Sequence, residues 1–140
     1  MSDDTYYLTS VLPKLTQMVG EHFNCPDAQY FPLEVGGGAS SASMHWELNF
    51  MGFDYMTSQT TKHSLITKMT LALFEDSGWY KPNYELAEDM WWGKNRGCDF
   101  VHHAKCPMGD PQSNKTGEFC SFTDSNDYSF GCDAWGDTMV

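Results

Sequence analysis

The sequence predicts an α+β fold, mainly helix and irregular loop, held by disulfides. Three observations lead there. Two segments carry apolar residues at helical spacing, the extended runs between them are short, and the last third replaces periodicity with cysteines and turn residues. At 140 residues, with 41% hydrophobic and 15% aromatic content, the chain can bury one sizeable core, which sets it apart from disordered sequences.

Residues 6–11 alternate loosely and carry Tyr, Leu and Val, which predicts a short strand. Pro13 suits the first position of a helix, where its missing N–H would have no partner anyway. Leu15, Met18 and Val19 then form an apolar stripe, with His22 in register at the next turn. Cys25-Pro26 ends this helix, because the residue before a proline disfavours helical torsions. His22 therefore reads as a half-buried helix residue, not a metal ligand. Residues 31–35 read as extended, and the glycines at 36–38 with the small residues up to Ser43 form a tightly turning loop. The run 45–56 has no regular period and is expected to be irregular.

The clearest helix follows. Leu65, Ile66, Met69, Ala72 and Leu73 share one face, with Ser64 as N-cap and Gly78 just past the end. Its expected length is about 20 Å at ~1.5 Å per residue. A shorter helix is predicted over residues 84–90. Beyond Gly93 the chain is expected to be disulfide-held loop, with His102-His103 exposed on it and Trp91-Trp92 packed as an aromatic pair.

The formal net charge of −11 excludes the basic surface that nucleic acid or anionic lipid would require. No apolar run approaches the roughly 18 residues that a membrane-spanning helix needs. Five cysteines (Cys25, Cys98, Cys106, Cys120, Cys132) and the sequon Asn114-Lys115-Thr116, with Asn114 as glycan acceptor, belong to an oxidising secretory setting. An extracellular or cell-surface location follows as an expectation. Residues 1–5 carry neither the basic nor the apolar region of a signal peptide, so an upstream segment is expected before Met1. The odd cysteine count leaves one thiol to pair outside the chain or stay free, and the absence of a C-x-x-C pair excludes a zinc ribbon. There is no phosphate-cradling glycine loop and no Ser-His-Asp order.

The most informative run is Gly36-Gly37-Gly38-Ala39-Ser40-Ser41-Ala42-Ser43-Met44-His45-Trp46-Glu47, followed by Asp54-Tyr55-Met56-Thr57. Around it stand His22-Phe23-Asn24-Cys25, Thr70-Leu71-Ala72-Leu73-Phe74-Glu75-Asp76-Ser77-Gly78-Trp79-Tyr80 and Trp92-Gly93-Lys94-Asn95-Arg96-Gly97-Cys98-Asp99-Phe100, then Cys106 and Phe119-Cys120. In this order and spacing the series resembles the C-terminal portion of the leishmanolysin family of zinc metallopeptidases, from about residue 13 to residue 132.

The resemblance implies a C-terminal subdomain of a metzincin-type fold. Residues 1–105 would carry the third zinc ligand, the Met-turn and the following helix, and residues 106–140 would begin a Cys-rich region that continues past the chain. His45 would bind Zn2+ through a ring nitrogen at roughly 2.0–2.1 Å. Met56 would be the Met-turn methionine, an apolar floor beneath the metal and not a ligand. The family also needs a helical His-Glu-x-x-His, which supplies two imidazoles and the general base. None of His22, His45, His63, His102 and His103 stands in that pattern, so no catalytic residue is assigned within this chain. The other two ligands and the base are expected in an N-terminal catalytic half upstream. Glu47 is not taken as a substitute base; it reads as a loop-holding or ligand-supporting residue. The resemblance also pairs Cys25 with Cys98, and closing a loop of about 73 residues would stabilise the fold by roughly 4 kcal/mol. Cys106, Cys120 and Cys132 would find partners at least partly beyond Val140.

Two functional readings follow. In the first, the chain is the C-terminal part of a zinc metalloendopeptidase cleaving protein or peptide substrates outside the cell or at its surface, and is inactive by itself. Links to cell adhesion and to the membrane, through parts not in this chain, are what the resemblance implies. In the second, it is a non-catalytic, disulfide-held surface or adhesion module derived from such a peptidase.

Overall fold

Pro13 opens α1 (Pro13–Phe23), in which Leu15, Val19 and Phe23 are buried and Met18 and His22 are half-buried. The computed structural model describes residues 7–8, 12–29, 31–34, 42–60, 62–103, 131–132 and 138–139. Leu12 offers no side-chain cap to α1. Instead the Asp76 carboxylate accepts Lys14 N–H at 3.1 Å and Leu15 N–H at 2.8 Å. An anion there satisfies two orphan donors and complements the positive end of the helix. Asn24 closes α1 in the left-handed region, its N–H donating to Gly20 O.

Asp76 ends α3 (Lys68–Asp76), which packs along α1. This helix starts later than its sequence predicts. Thr67, not Ser64, is the N-cap, its hydroxyl accepting Thr70 N–H at 3.4 Å. Leu65 is held extended by two backbone bonds, Leu65 N–H to Phe53 O and Tyr55 N–H to Leu65 O, each 2.7 Å. That pairing overrides the helical period. Ile66 is consequently exposed, and the polar Thr70 is buried on the helix face. The predicted stop is correct: Gly78 follows the C-cap Ser77 with φ +74°.

Three further expectations need correction. Residues 45–56 contain a single helical turn, α2 (Leu48–Met51), too short to give a period. Only one 3-10 turn, Tyr84–Leu86, forms where a helix to residue 90 is predicted. Glu88 pairs across to Ile66 instead, N–H to Ile66 O at 2.8 Å, and so draws the segment out straight. The stretch after Gly93 is not all loop, because α4 (Cys98–His103) carries the buried Phe100 and Val101. His102 and His103 therefore end a helix, while their side chains lie outside the described residues.

The strands are short. Tyr7–Leu8 (β1) pairs antiparallel with Phe31–Pro32 (β2). The described residues fall into two units, Met1–His103 and Ala104–Val140, the second represented by the antiparallel pair β3 (Gly131–Cys132) and β4 (Thr138–Met139). The glycine run 36–38, Asn114, Cys106 and Cys120 lie outside the described residues, as does the side chain of Cys132.

The core of the first unit is aromatic. Phe23 meets Phe50 at a centroid distance of 4.7 Å and Phe100 at 5.2 Å, and Phe31 meets Trp46 at 4.4 Å and Phe50 at 5.2 Å. Trp91 and Trp92 pack edge to face at 6.0 Å, with Trp92 buried and Trp91 partly exposed. Gly93 lets Phe23 and Phe100 close up. A Cβ on it would stand 2.5 Å from Phe23 and 2.6 Å from Phe100, and its φ is +65°. The Cys25–Cys98 disulfide joins the end of α1 to the start of α4. The result is a mixed helix-and-loop fold pinned by one disulfide among the described residues.

Candidate metal centre

His45 is half-buried and lies in a strand-like limb that is bonded on both sides. Trp46 bridges antiparallel to Leu33 and parallel to Thr57. On one side Glu34 N–H donates to His45 O at 2.9 Å and Glu47 N–H to Pro32 O at 3.2 Å. On the other, Trp46 N–H donates to Met56 O at 2.9 Å. The backbones that carry His45 and Met56 are thus direct neighbours. Glu47 begins α2 from the N-cap position and makes no side-chain cap.

Beneath this limb sits a buried carboxylate. Asp54 is 1% exposed, yet it accepts Met56 N–H at 2.7 Å, Thr67 Oγ1–H at 2.6 Å and Thr70 Oγ1–H at 2.7 Å. Thr67 N–H lies at 3.4 Å from the same group. Burial pushes the Asp54 carboxyl above its ordinary range, and the donated bonds from Thr67, Met56 N–H and Thr70 pull the other way. Thr70 Oγ1 in turn accepts the Trp46 indole N–H at 2.8 Å. Glu34 is also buried, with Ser58 Oγ–H donating to its Oε2 at 2.9 Å.

The chemistry this arrangement supports is that of one imidazole carried on a bonded backbone limb. A zinc ion with an open site for water needs three protein ligands. His45 fits one of the three. Among the described residues, the one group of three metal-ligating side chains within reach of a common ion is Cys25, Asp27 and Cys98. Asp27 Oδ1 lies 3.1 Å from Cys25 Sγ and 2.6 Å from Cys98 Sγ. Those sulfurs are bonded to each other, carry no proton and offer no thiolate, so the contacts are not donated hydrogen bonds and the group is no metal site while oxidised.

His22 stands apart from this centre. It lines a depression of about 340 Å³ with Met18, Thr67, Met69, Met90 and Lys94, which neither His45 nor Met56 lines. Its Nε2 donates to Trp92 O at 2.8 Å. Burial lowers its pKa from 6.5 first of all; the bond to Trp92 opposes, Lys94 lowers it further, and Asp89 raises it.

Sequence reasoning singled out His45 and Met56 but gave no role to Asp54, Thr67, Thr70 or Glu34. One signal was present: Thr70 is a polar residue between Met69 and Ala72 on an otherwise apolar stripe. The partner it serves lies across the fold and leaves no local mark.

The leishmanolysin model of peptidase family M8 matches residues 3–134. A leishmanolysin-like peptidase of Caenorhabditis elegans is 42% identical over 91 residues, 65% of this chain and 14% of the relative. The ciliated left-right organizer metallopeptidase of Mus musculus is 34% identical over 110 residues, covering 76% of this chain and 16% of the relative. The leishmanolysin of Leishmania donovani is 32% identical over 101 residues, 72% of this chain and 17% of its own length. The chain thus spans about a seventh of the length of the relatives it matches. With a family match over nearly its whole length, the chain belongs to the leishmanolysin family, peptidase family M8.

Proposed function

We propose that this chain is the C-terminal part of a zinc metalloendopeptidase that cleaves proteins outside the cell or at its surface. The observation that carries the reading is the bond from Trp46 N–H to Met56 O, which sets the limb of His45 against the turn of Met56 in a chain of this family. His45 supplies the third imidazole and Met56 the apolar floor, within a C-terminal subdomain of a metzincin-type fold. When bound, zinc supplies a water of lowered pKa and a polarised scissile carbonyl. The part of this chain is to orient one ligand and to keep it from moving.

Two ligands and the general base then come from an upstream catalytic half. Met44 and Tyr55 flank His45 and Met56 and are 60% and 68% exposed, an apolar rim suited to that half. The 140-residue chain alone, to which the family pattern gives one zinc-binding imidazole, is expected to hold no zinc usefully and to cleave nothing. No described helix is long and apolar enough to cross a membrane.

The test is zinc content and chelator-sensitive cleavage of an unfolded protein substrate by the full-length gene product. His45→Ala should lower kcat/KM by roughly 100-fold or more, since even residues that only support a ligand cost 10–100-fold. Full activity in that variant would refute the assignment, and a wild-type protein that takes up no zinc would favour the non-catalytic module.

A further inference from the structure

Four hydrogen bonds around the candidate centre close into a ring. The Trp46 indole N–H donates to Thr70 Oγ1 (2.8 Å), Thr70 Oγ1–H donates to Asp54 Oδ1 (2.7 Å), the same Oδ1 accepts Met56 N–H (2.7 Å), and Met56 O accepts Trp46 N–H (2.9 Å). With the Asp54 carboxyl ionised, the polarity of this ring has one solution. Indole and amide N–H groups only donate, an ionised carboxylate only accepts, and the single Thr70 hydroxyl must do both. Trp46, Thr70 and Asp54 are 1%, 3% and 1% exposed, so water cannot substitute for a lost member. Two of the four corners are the backbone neighbour of His45 and Met56 itself. The other two anchor them to α3, where the second oxygen of Asp54 accepts the hydroxyl of the helix cap Thr67 at 2.6 Å.

We propose that Asp54 and Thr70 are positioning residues of the peptidase centre: through this ring they lock the His45 limb and the Met56 turn to one helix, so that the third imidazole is already in place before the metal arrives. The inference rests on the zinc-peptidase reading above and adds to it the residues that fix the ligand. A metal ligand held loosely, even by about 1 Å, loses much of its affinity, and partners of a ligand typically alter affinity by 10–100-fold. Thr70 is the member that can be cut most cleanly. Thr70→Val has nearly the same shape but neither donates nor accepts, while Thr70→Ser keeps both functions. In Trp46→Phe the ring loses only its indole N–H corner, which gives a second cut should Thr70→Val fail to fold.

The experiment uses the full-length gene product, with zinc affinity measured by competition against a chelator and the Met56 methyl followed by NMR in the zinc-free protein. Thr70→Val should weaken zinc by roughly 10–100-fold and shift the Met56 methyl resonance, with Thr70→Ser restoring both. Trp46→Phe should move them in the same direction. Zinc affinity unchanged in Thr70→Val, or equally lost in Thr70→Ser, would overturn the positioning role alone. A wild-type protein that takes up no zinc would overturn both this role and the peptidase reading.

Discussion

The region around Phe23, Phe50 and Phe100 and the region around Asp54 lie in one folded unit but are held by opposite physics. The first is apolar burial closed by a covalent link, three phenyl rings beside the Cys25–Cys98 disulfide. Its energy is non-directional, so a somewhat different packing would still bury most of the same area. The second is a buried carboxylate satisfied by hydroxyl and amide donors. Directional bonds in a dry setting fix positions to fractions of an ångström and are costly to leave half-made. The stable part of the molecule and the accurately positioned part are thus built from different interactions, and they should fail differently.

The largest effect is expected at the polar region. Asp54→Ala orphans the Met56 amide and the Thr67 and Thr70 hydroxyls together, and should cost about 4–5 kcal/mol in urea unfolding. Loss below about 1 kcal/mol would mean that those donors find other acceptors. The apolar region should respond to reductant instead. Replacing both Cys25 and Cys98 by Ser, which opens a closure of 73 residues, should cost about 4 kcal/mol and reduce the sensitivity of the thermal midpoint to dithiothreitol. Reductant should leave the ring of bonds at Trp46 intact, as hydrogen exchange at the Trp46 and Met56 amides can show.

Gly93→Ala probes the same apolar region sterically. Its Cβ would meet Phe23 and Phe100 at a backbone φ of +65°, and a loss of about 3 kcal/mol is expected by denaturant titration. His22 offers a gentler test by pH. Because burial lowers its folded pKa, the unfolded chain binds the proton more readily, so its contribution is present above about pH 6.5 and is lost as pH falls from there through the lowered folded value. His22→Gln should flatten that stretch of the stability profile; an unchanged slope would show that His22 does not supply it. The smallest effect is expected at the surface. The Lys94–Asp89 pair is 2.6 Å long but exposed on both sides, and Asp89→Asn should change stability by no more than about 0.5 kcal/mol.

Much of α1 was legible in the residues, because Pro13, the stripe through Val19 and the Cys25-Pro26 stop are all local signals. The end of α3 was legible for the same reason, through Gly78. Its beginning was not. Leu65 and Ile66 continue the helical period on paper, but Leu65 is taken by the 53–55 segment and Ile66 by Glu88, and both are drawn out of the helix. The helix α4 was hidden among glycines and asparagines, since six residues give no period and its support comes from the disulfide and from Phe100.

The sequence by itself determined the family, through landmarks that need only order and spacing, and it pointed to His45 and Met56 as the residues for the proposed chemistry. It determined the apolar stripe of α1 as well, because a helical face depends on neighbours three and four residues away. Only the tertiary structure decided what holds the candidate centre still. Asp54, Thr67 and Thr70 are up to 16 residues apart, and Trp46 stands 24 residues from Thr70. No period links such positions; they become partners only because a buried carboxylate must find its donors wherever the packed chain brings them.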